Sequence, residues 1–464
     1  MKAEKKPEVE SVVGNAASAA VVTSSPPPKA DAGALPASVT KSAYPTPAAE
    51  PTQESAEGIR FDFNDGCRVV LPVRASGAWR VRLQDLDTGN VLFESENKGA
   101  RINSSKRWYV RFRVEVWSAD EGAAESPRLV VSHDYDTAGR EVLIQFPIGT
   151  LGDTLGWFAY CERFAQAHPN CRVTVALSGF IIPLVQGAYP TLNLVTHVQV
   201  VEQKLVERMY ATYSMGLFFD DVQCDRQPID FRHVGLHRTA GHILGVDPTE
   251  EAPRLALIDE SRPIDEPYVC IAVQATSAAK TWTNPNGWRE VVAFLKSRGY
   301  RVICIDQKPV HGTGIMWTHI PHGAEDMTGI SLAEAARWLR HADFFVGLSS
   351  GLAWLAWAAR TPVVMISGYS LPSTEFNTPY RIINWHTCNG CWSDPQLRFN
   401  HTDFLWCPRH AGTPRQFECT RLITSTHVMR VIEKIPGFGK HRSAAGKTPI
   451  RIVLSSDPKT PTPP

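Results

Sequence analysis

Hydrophobic and polar positions alternate along this chain with two different periods, and the change of period divides it. Residues 142–148, VLIQFPI, form a nearly continuous β-branched and apolar run, which predicts a buried strand. The run breaks at Gly149-Thr150-Leu151-Gly152-Asp153, and a helical pattern follows with Trp157, Cys161, Phe164 and Ala165 on one face. The same strand–helix alternation then recurs. Residues 172–177 read as a strand and 228–244 as a helix around Val234, His237, Ala240, Ile243 and Leu244. Residues 268–273, YVCIAV, read as a second buried strand. Asn284 with Pro285 predicts a helix start, followed by Trp288, Val291, Val292 and Leu295 at helical spacing. Strands are predicted at 300–305, 344–347 and 362–366. Between them lie a Ser331/Glu334 capping box and a helix lined by Leu352, Leu355, Ala356 and Ala359. Two blocks, about 142–225 and 266–370, therefore predict two doubly wound α/β domains with a cleft between them.

Upstream, residues 59–132 show the shorter period. Residues 108–116, WYVRFRVEV, alternate aromatic or branched residues with Arg and Glu, as a half-buried antiparallel strand does. Turn signals at Asn64-Asp65-Gly66 and Asp87-Thr88-Gly89-Asn90 separate such segments, so a small β domain with a structural or oligomeric role is expected. The first 56 residues are rich in Ala, Pro, Ser and Thr and read as a disordered tail.

Charge changes the picture by exclusion. The 464 residues carry 48 Lys+Arg against 47 Asp+Glu, a balance unlike that of a nucleic-acid groove or a polybasic membrane surface. There is no apolar run of transmembrane length and no signal-peptide core, so a cytoplasmic protein is expected. Ten Cys in that setting read as thiols or metal ligands rather than disulfides.

Four stretches carry candidate chemistry. Asp153 follows a strand at a glycine loop, where α/β proteins bind ligands, and two readings stand open: a helix N-cap or a carboxylate presented to substrate. Residues 346–354, VGLSSGLAW, run from a strand through Gly347, Ser349, Ser350 and Gly351 into a helix. Backbone N–H groups there suit a pyrophosphate, although the segment is neither a Rossmann nor a Walker loop. Lys280, beyond Thr276 and Ser277, is placed to neutralise a diphosphate leaving group. The last is Cys388-x2-Cys391-x15-Cys407-x11-Cys419, spaced as a four-thiolate finger, for which zinc is the default metal and mononuclear iron the alternative. The other six Cys read as core thiols.

Together, FDFNDGCRVVLP, FPIGTLGDTLGWFAYCERF, DFRHVGLHRTAGHILGVDP, YVCIAVQATSAAK, GLSSGLAWLAWA and the CNGCW–DFLWCPRH–RQFECTRLIT run resemble the bacterial autotransporter heptosyltransferase family, a branch near the lipopolysaccharide heptosyltransferases. The resemblance spans about residues 58–425. It implies an α/β glycosyltransferase of GT-B type with two doubly wound domains, an N-terminal small β domain and a C-terminal four-cysteine metal finger. The implied order is tail 1–56, β domain 57–140, acceptor-side α/β domain 141–265, ADP-heptose-side domain 266–385, finger and helix 386–435, and tail 436–464. The implied activity is O-heptosylation of Ser, and some Thr, of autotransporter passenger domains from ADP-heptose. A lipopolysaccharide-core heptosyltransferase and a non-catalytic nucleotide-sugar-binding scaffold are the alternatives. By this resemblance Asp153 is the catalytic base and Lys280 the diphosphate contact. Thr150, Leu151, Gly152, Thr276, Glu325, Met327, Gly347, Ser349, Ser350 and Gly351 complete the donor site. Lipopolysaccharide enzymes carry Asp-Thr-Gly where this chain has Ser349-Ser350-Gly351, so the missing Asp transfers no role. The resemblance replaces zinc by iron on Cys388, Cys391, Cys407 and Cys419, and implies a large ring-like homo-oligomer, a dodecamer.

Overall fold

The computed structural model describes the backbone of residues 21–23 and all of residues 44–119 and 127–440. Two sheets organise it. In the first, Glu141–Gln145 lies at the centre, parallel to Arg172–Ala176 on one side and Ala211–Ser214 on the other. Asn193–Val195 extends it in parallel beyond Arg172–Ala176. The second sheet is parallel throughout, in the order Glu325–Asp326, Arg301–Cys304, Tyr268–Ile271, Phe345–Leu348, Val363–Ile366, Tyr380–Ile382. Its central strands are buried on both faces, which is why YVCI, FVGL and VVMI carry no alternation. Tyr380–Ile382 is a strand that the apolar pattern does not announce, because Tyr380 and Arg381 remain half-buried at the sheet edge.

The β-rich segment splits between two places. Ala78–Asp85 and Phe112–Ala119 pair at the centre of a four-stranded antiparallel sheet, with strict alternation that sends Trp79, Val81 and Leu83 inward. Arg60–Asn64, by contrast, joins the first α/β sheet in parallel with Ala211–Ser214 and continues it through Arg68–Leu71 and Ala100–Asn103. The segment is therefore continuous with the N-terminal α/β layer.

Three boundaries read from sequence shift. The packed chain begins upstream of residue 57. Thr52 donates its N–H to buried Asp62 at 3.0 Å and its hydroxyl to the Met209 carbonyl at 2.7 Å, and Arg68 donates to the Ala48 carbonyl at 2.7 Å. Residues 1–20, 24–43 and 441–464 of the two predicted tails lie outside the described residues. At the other end, Phe438 stacks on Tyr300 at 5.6 Å, so the fold runs past residue 436. The helix expected over 228–244 is broken into Phe231–Val234 and Arg238–Leu244, where Gly235 takes φ 104°. The helix after Pro285 begins at Gly287 with Asn286 as its cap residue, while the Asn284 side chain accepts the Asn286 N–H at 3.2 Å. Ser331 caps its helix, accepting from the Glu334 N–H at 3.1 Å, but the expected box is half-formed, because the Glu334 carboxylate accepts from Arg337 and Trp338 instead. Among the described residues no helix is long and apolar enough to cross a membrane. Of the six non-finger Cys, Cys67, Cys161, Cys270 and Cys304 are buried, Cys171 is half-buried, and Cys224 is exposed.

Candidate active site

The strand Glu141–Gln145 hands the chain to a loop whose Gly149 takes φ 86° and donates its N–H to Ser178 Oγ at 2.9 Å. The helix Gly152–Ala167 follows at once. Its cap residue is Leu151, and no side chain caps it, so Asp153 is not serving as an N-cap. Thr154 instead turns its hydroxyl back to the Thr150 carbonyl at 2.8 Å. The Asp153 carboxyl is thus left facing the cleft. Burial pushes its pKa up to about 6 against the opposing pull of the Lys280 ammonium.

From the other sheet, Phe345–Leu348 leads through Ser349 and Ser350 into the helix Gly351–Ala358. This second helix start meets the first. A Cβ on Gly152 would lie 2.7 Å from Trp354 Cδ1, one on Gly156 3.0 Å from Trp354 Cζ3, and one on Gly351 3.2 Å from Leu151 Cβ. The three glycines let the helices approach, and both positive helix ends then face the same space. The first N–H groups of the Gly351 helix have no intrahelical partner, which suits an anion. Gly152→Ala is expected to wedge the two halves apart, since Trp354 is itself buried, costing about 1–3 kcal/mol of stability. Thermal denaturation together with donor titration checks this: the midpoint falls and donor affinity falls with it.

Lys280 closes a short 3₁₀ turn, Ala278–Lys280, capped by Ser277, whose hydroxyl accepts the Ala279 N–H at 3.3 Å. Its ammonium lies 5.3 Å over the Tyr369 ring. Burial lowers its pKa, and Asp153 and Glu375 oppose that. Glu375 is already committed to Arg381 and to the Ser349 hydroxyl. The half-buried ammonium is therefore available to an anionic ligand.

These groups share one cleft of about 800 Å³ between the two sheets. It brings together Thr150, Leu151, Gly152, Asp153, Thr276, Lys280, Ser349, Ser350 and Gly351. Three predicted donor residues lie elsewhere. Glu325 is an edge-strand residue whose carboxylate accepts from Arg301 Nε at 2.8 Å, and it does not line the cleft. Met327 packs its side chain against the core. Gly347 is inside the strand Phe345–Leu348, where the Phe345 ring fills the space a Cβ would need. Ser349 reaches the cleft, but its hydroxyl is spent on Glu375 and on Ser370 at 2.9 Å.

Other cleft residues escaped the sequence reading. Asp306 accepts the Val273 N–H at 2.8 Å and the Gln274 N–H at 3.2 Å, so it pins the loop after Tyr268–Ile271. Burial raises its pKa to about 6. Its place just past a strand end was the available signal. Glu375, Tyr369 and His401 arrive from beyond the last predicted strand and had no local signal. Tyr44, a residue of the predicted tail, lies outside the cleft lining but within electrostatic reach of Asp153. Its hydroxyl donates to the Met215 carbonyl at 2.5 Å, and burial raises its pKa, with Arg226 and Asp153 also acting on it.

The four finger cysteines are neighbours in space. Burial, followed by the nearby Cys388, pushes the Cys391 thiol up to about 12. Burial, followed by Cys391, Cys407 and Cys388, raises Cys419 likewise to about 12. Arg409 donates to both Cys388 Sγ and Cys391 Sγ at 3.7 Å, and Glu418 accepts the Cys388 N–H at 3.0 Å. Even so, among the described residues no group of three or more Cys, His, Asp or Glu stands at metal-holding geometry. The coordination expected on Cys388, Cys391, Cys407 and Cys419 is thus not displayed. The donor set nevertheless fits a thiophilic metal: four convergent sulfurs would repel as thiolates and need a cation to close up.

Comparison with known proteins decides the family. The sequence model of the glycosyltransferase TibC N-terminal domain matches residues 55–120, and that of glycosyltransferase family 9 (heptosyltransferase) matches residues 234–398. The autotransporter heptosyltransferase BAHTCr of Citrobacter rodentium is 52% identical over 388 residues, 83% of this chain and 91% of its own length. The chain belongs to the autotransporter heptosyltransferase family. A solved structure of dodecameric iron-containing TibC in complex with ADP-D-beta-D-heptose is 51% identical, with TM-score 0.77 over 84% of this chain and 98% of that one. BimC of Burkholderia thailandensis, described as an inactive autotransporter heptosyltransferase, is 42% identical over 425 residues, 89% of this chain and 93% of its own length.

Proposed function

We propose that this chain is a protein O-heptosyltransferase of GT-B type that moves heptose from ADP-heptose to Ser, and some Thr, hydroxyls of an autotransporter passenger domain. The observation that carries the reading is the pairing, in one cleft, of a carboxylate raised toward neutrality with an uncommitted ammonium and two converging helix starts. The acceptor oxygen attacks the anomeric carbon while the carbon–oxygen bond to the diphosphate breaks, its electron pair leaving with ADP. Asp153 takes the hydroxyl proton. Lys280 and the N–H groups at Gly351 and Leu352 receive the charge that builds on the departing diphosphate. Thr150, Leu151, Gly152, Thr276 and Ser350 shape the donor pocket, and Ser349 acts through backbone and fold rather than through a free hydroxyl.

A binding-only reading has one observation in its favour, the relative described as inactive. A scaffold needs the anion site but gains nothing from a half-buried carboxylate beside it, which only repels the diphosphate. The deciding experiment follows radiolabelled heptose from ADP-heptose and asks whether it precipitates with protein, extracts with glycolipid, or stays on the nucleotide. Label on protein supports the proposal. Label on lipid favours the lipopolysaccharide-type alternative, and label retained on the nucleotide favours the scaffold.

Cys388, Cys391, Cys407 and Cys419 would hold iron, with zinc as the alternative metal. Bound there, the metal supplies a cross-link between the segments around residues 388–391, 407 and 419 and takes no part in transfer. The resemblance to TibC extends the proposal to a dodecameric ring. Cys388→Ser is expected to lose the bound iron and lower both thermal stability and assembly size, read by elemental analysis and mass photometry. An iron-free variant with unchanged stability and assembly would contradict the structural role.

A further inference from the structure

A second groove, of about 840 Å³, opens beside the catalytic cleft and shares Leu217, Phe399 and His401 with it. One wall is the loop that leaves the strand Ala211–Ser214. The other is supplied by residues 398–402, part of the excursion between Cys391 and Cys407. Asp220 and Arg398 meet across it at 2.9 Å, with side chains 62% and 76% exposed. The pair is solvated and so opens readily.

The walls themselves are preformed. The Asp221 carboxylate accepts the backbone N–H groups of Asp225, Arg226 and Gln227 at 2.8, 3.0 and 2.9 Å, which fixes that loop. The Phe219 ring packs edge-on against Phe231 at 5.1 Å and His401 at 6.1 Å. Phe399 meets His401 edge-on at 4.5 Å. The aromatic wall is therefore rooted in both halves of the protein and continues into the cleft.

Charge narrows the occupant. The groove carries three Asp and three Arg, so its sum is neutral. Two of the arginines, Arg107 and Arg226, already pair with Asp65 at 3.0 and 3.4 Å. A phosphorylated glycolipid needs an excess of basic groups, which is absent here. A neutral, extended segment that lays small side chains on aromatic faces and backbone amides beside both signs of charge fits instead.

Resting on the heptosyl-transfer reading, we propose that this groove seats an extended Ser/Thr-bearing stretch of the acceptor polypeptide and delivers one hydroxyl through the shared mouth to Asp153. The finger excursion is then an acceptor-binding element as well as a part of the finger. The Asp220–Arg398 pair closes over the bound strand.

The test uses the full chain with Thr402→Trp, an exposed wall position where an indole narrows the groove without entering the core. The KM for a passenger-domain fragment is expected to rise tenfold or more, while ADP-heptose affinity stays within twofold of wild type. A photo-crosslinking benzophenone amino acid placed at the same position is expected to capture the polypeptide fragment. An unchanged KM with no cross-link overturns the groove assignment while wild-type transfer to protein still upholds the heptosyltransferase reading. Wild-type transfer to glycolipid and not to polypeptide overturns that reading, and the groove assignment with it.

Discussion

Asp153→Asn is expected to lower the rate of heptosyl transfer by about 10²–10⁴-fold, the range a positioned general base supplies, while ADP-heptose still binds. Asn keeps the size and polarity of the side chain but cannot take a proton from a Ser hydroxyl, which is a poor nucleophile when neutral. Because no cap bond depends on the carboxylate, the start of the Gly152–Ala167 helix survives the change. A rate in the variant close to wild type would remove Asp153 from the base role. The wild-type pH profile gives a second check. Burial raises the carboxyl pKa to about 6. The active form is the ionised one, so kcat/KM falls about tenfold per unit as pH drops below about 6, and levels off above it until the Lys280 ammonium, whose pKa burial lowers, begins to lose its proton. In kcat the inflection moves higher still, because bound diphosphate adds negative charge beside the carboxylate. An inflection near the ordinary aspartate value of 3.8 would contradict the burial argument.

Lys280→Ala is expected to be nearly as damaging, by about 10²–10³-fold in kcat/KM, through a different term. The ammonium is held over Tyr369 and, among the described residues, forms no salt bridge, although Asp153 and Glu375 lie near enough to favour its charge; we assign that charge to the diphosphate. Removing it weakens the ground-state donor complex and, more strongly, the transition state, in which the diphosphate gains charge. Calorimetric titration with ADP-heptose should therefore show a loss of affinity smaller than the loss of kcat/KM. A variant with donor affinity and turnover both intact would place the diphosphate elsewhere. The loss should also exceed that of any single substitution at Ser349, whose hydroxyl is engaged by Glu375 and Ser370.

The parts of this architecture readable in the sequence were those with local causes. Buried parallel strands such as YVCI and VVMI announce themselves because both faces need apolar residues. The strand–glycine–helix junctions at Gly152 and Gly351 are equally local, since the chain must turn there within a few residues. Glu325 and Met327 show the limit of positional matching. Each lies near the expected end of the nucleotide pocket in sequence, but the edge strand Glu325–Asp326 commits one to Arg301 and the core takes the other. Glu375 and His401 reach the cleft through contacts far apart in the chain, and nothing in their immediate neighbours encodes that arrival. Residues 44–56 make the same point. Their Ala/Pro-rich composition gives no periodicity, yet Thr52 and the carbonyl of Ala48 are tied down by Asp62, Met209 and Arg68. The split helix around Gly235 is a milder case, in which one positive-φ glycine overrides a helical apolar pattern.

The central claim is transfer of heptose onto protein with Asp153 as base. It is tested most directly by intact-mass measurement of an autotransporter passenger fragment after incubation with this protein and ADP-heptose. The account predicts a ladder of added heptose masses with wild type and no ladder with Asp153→Asn at equal donor occupancy. An unmodified fragment with wild type and bound ADP-heptose, or an undiminished ladder with the Asn variant, would contradict it.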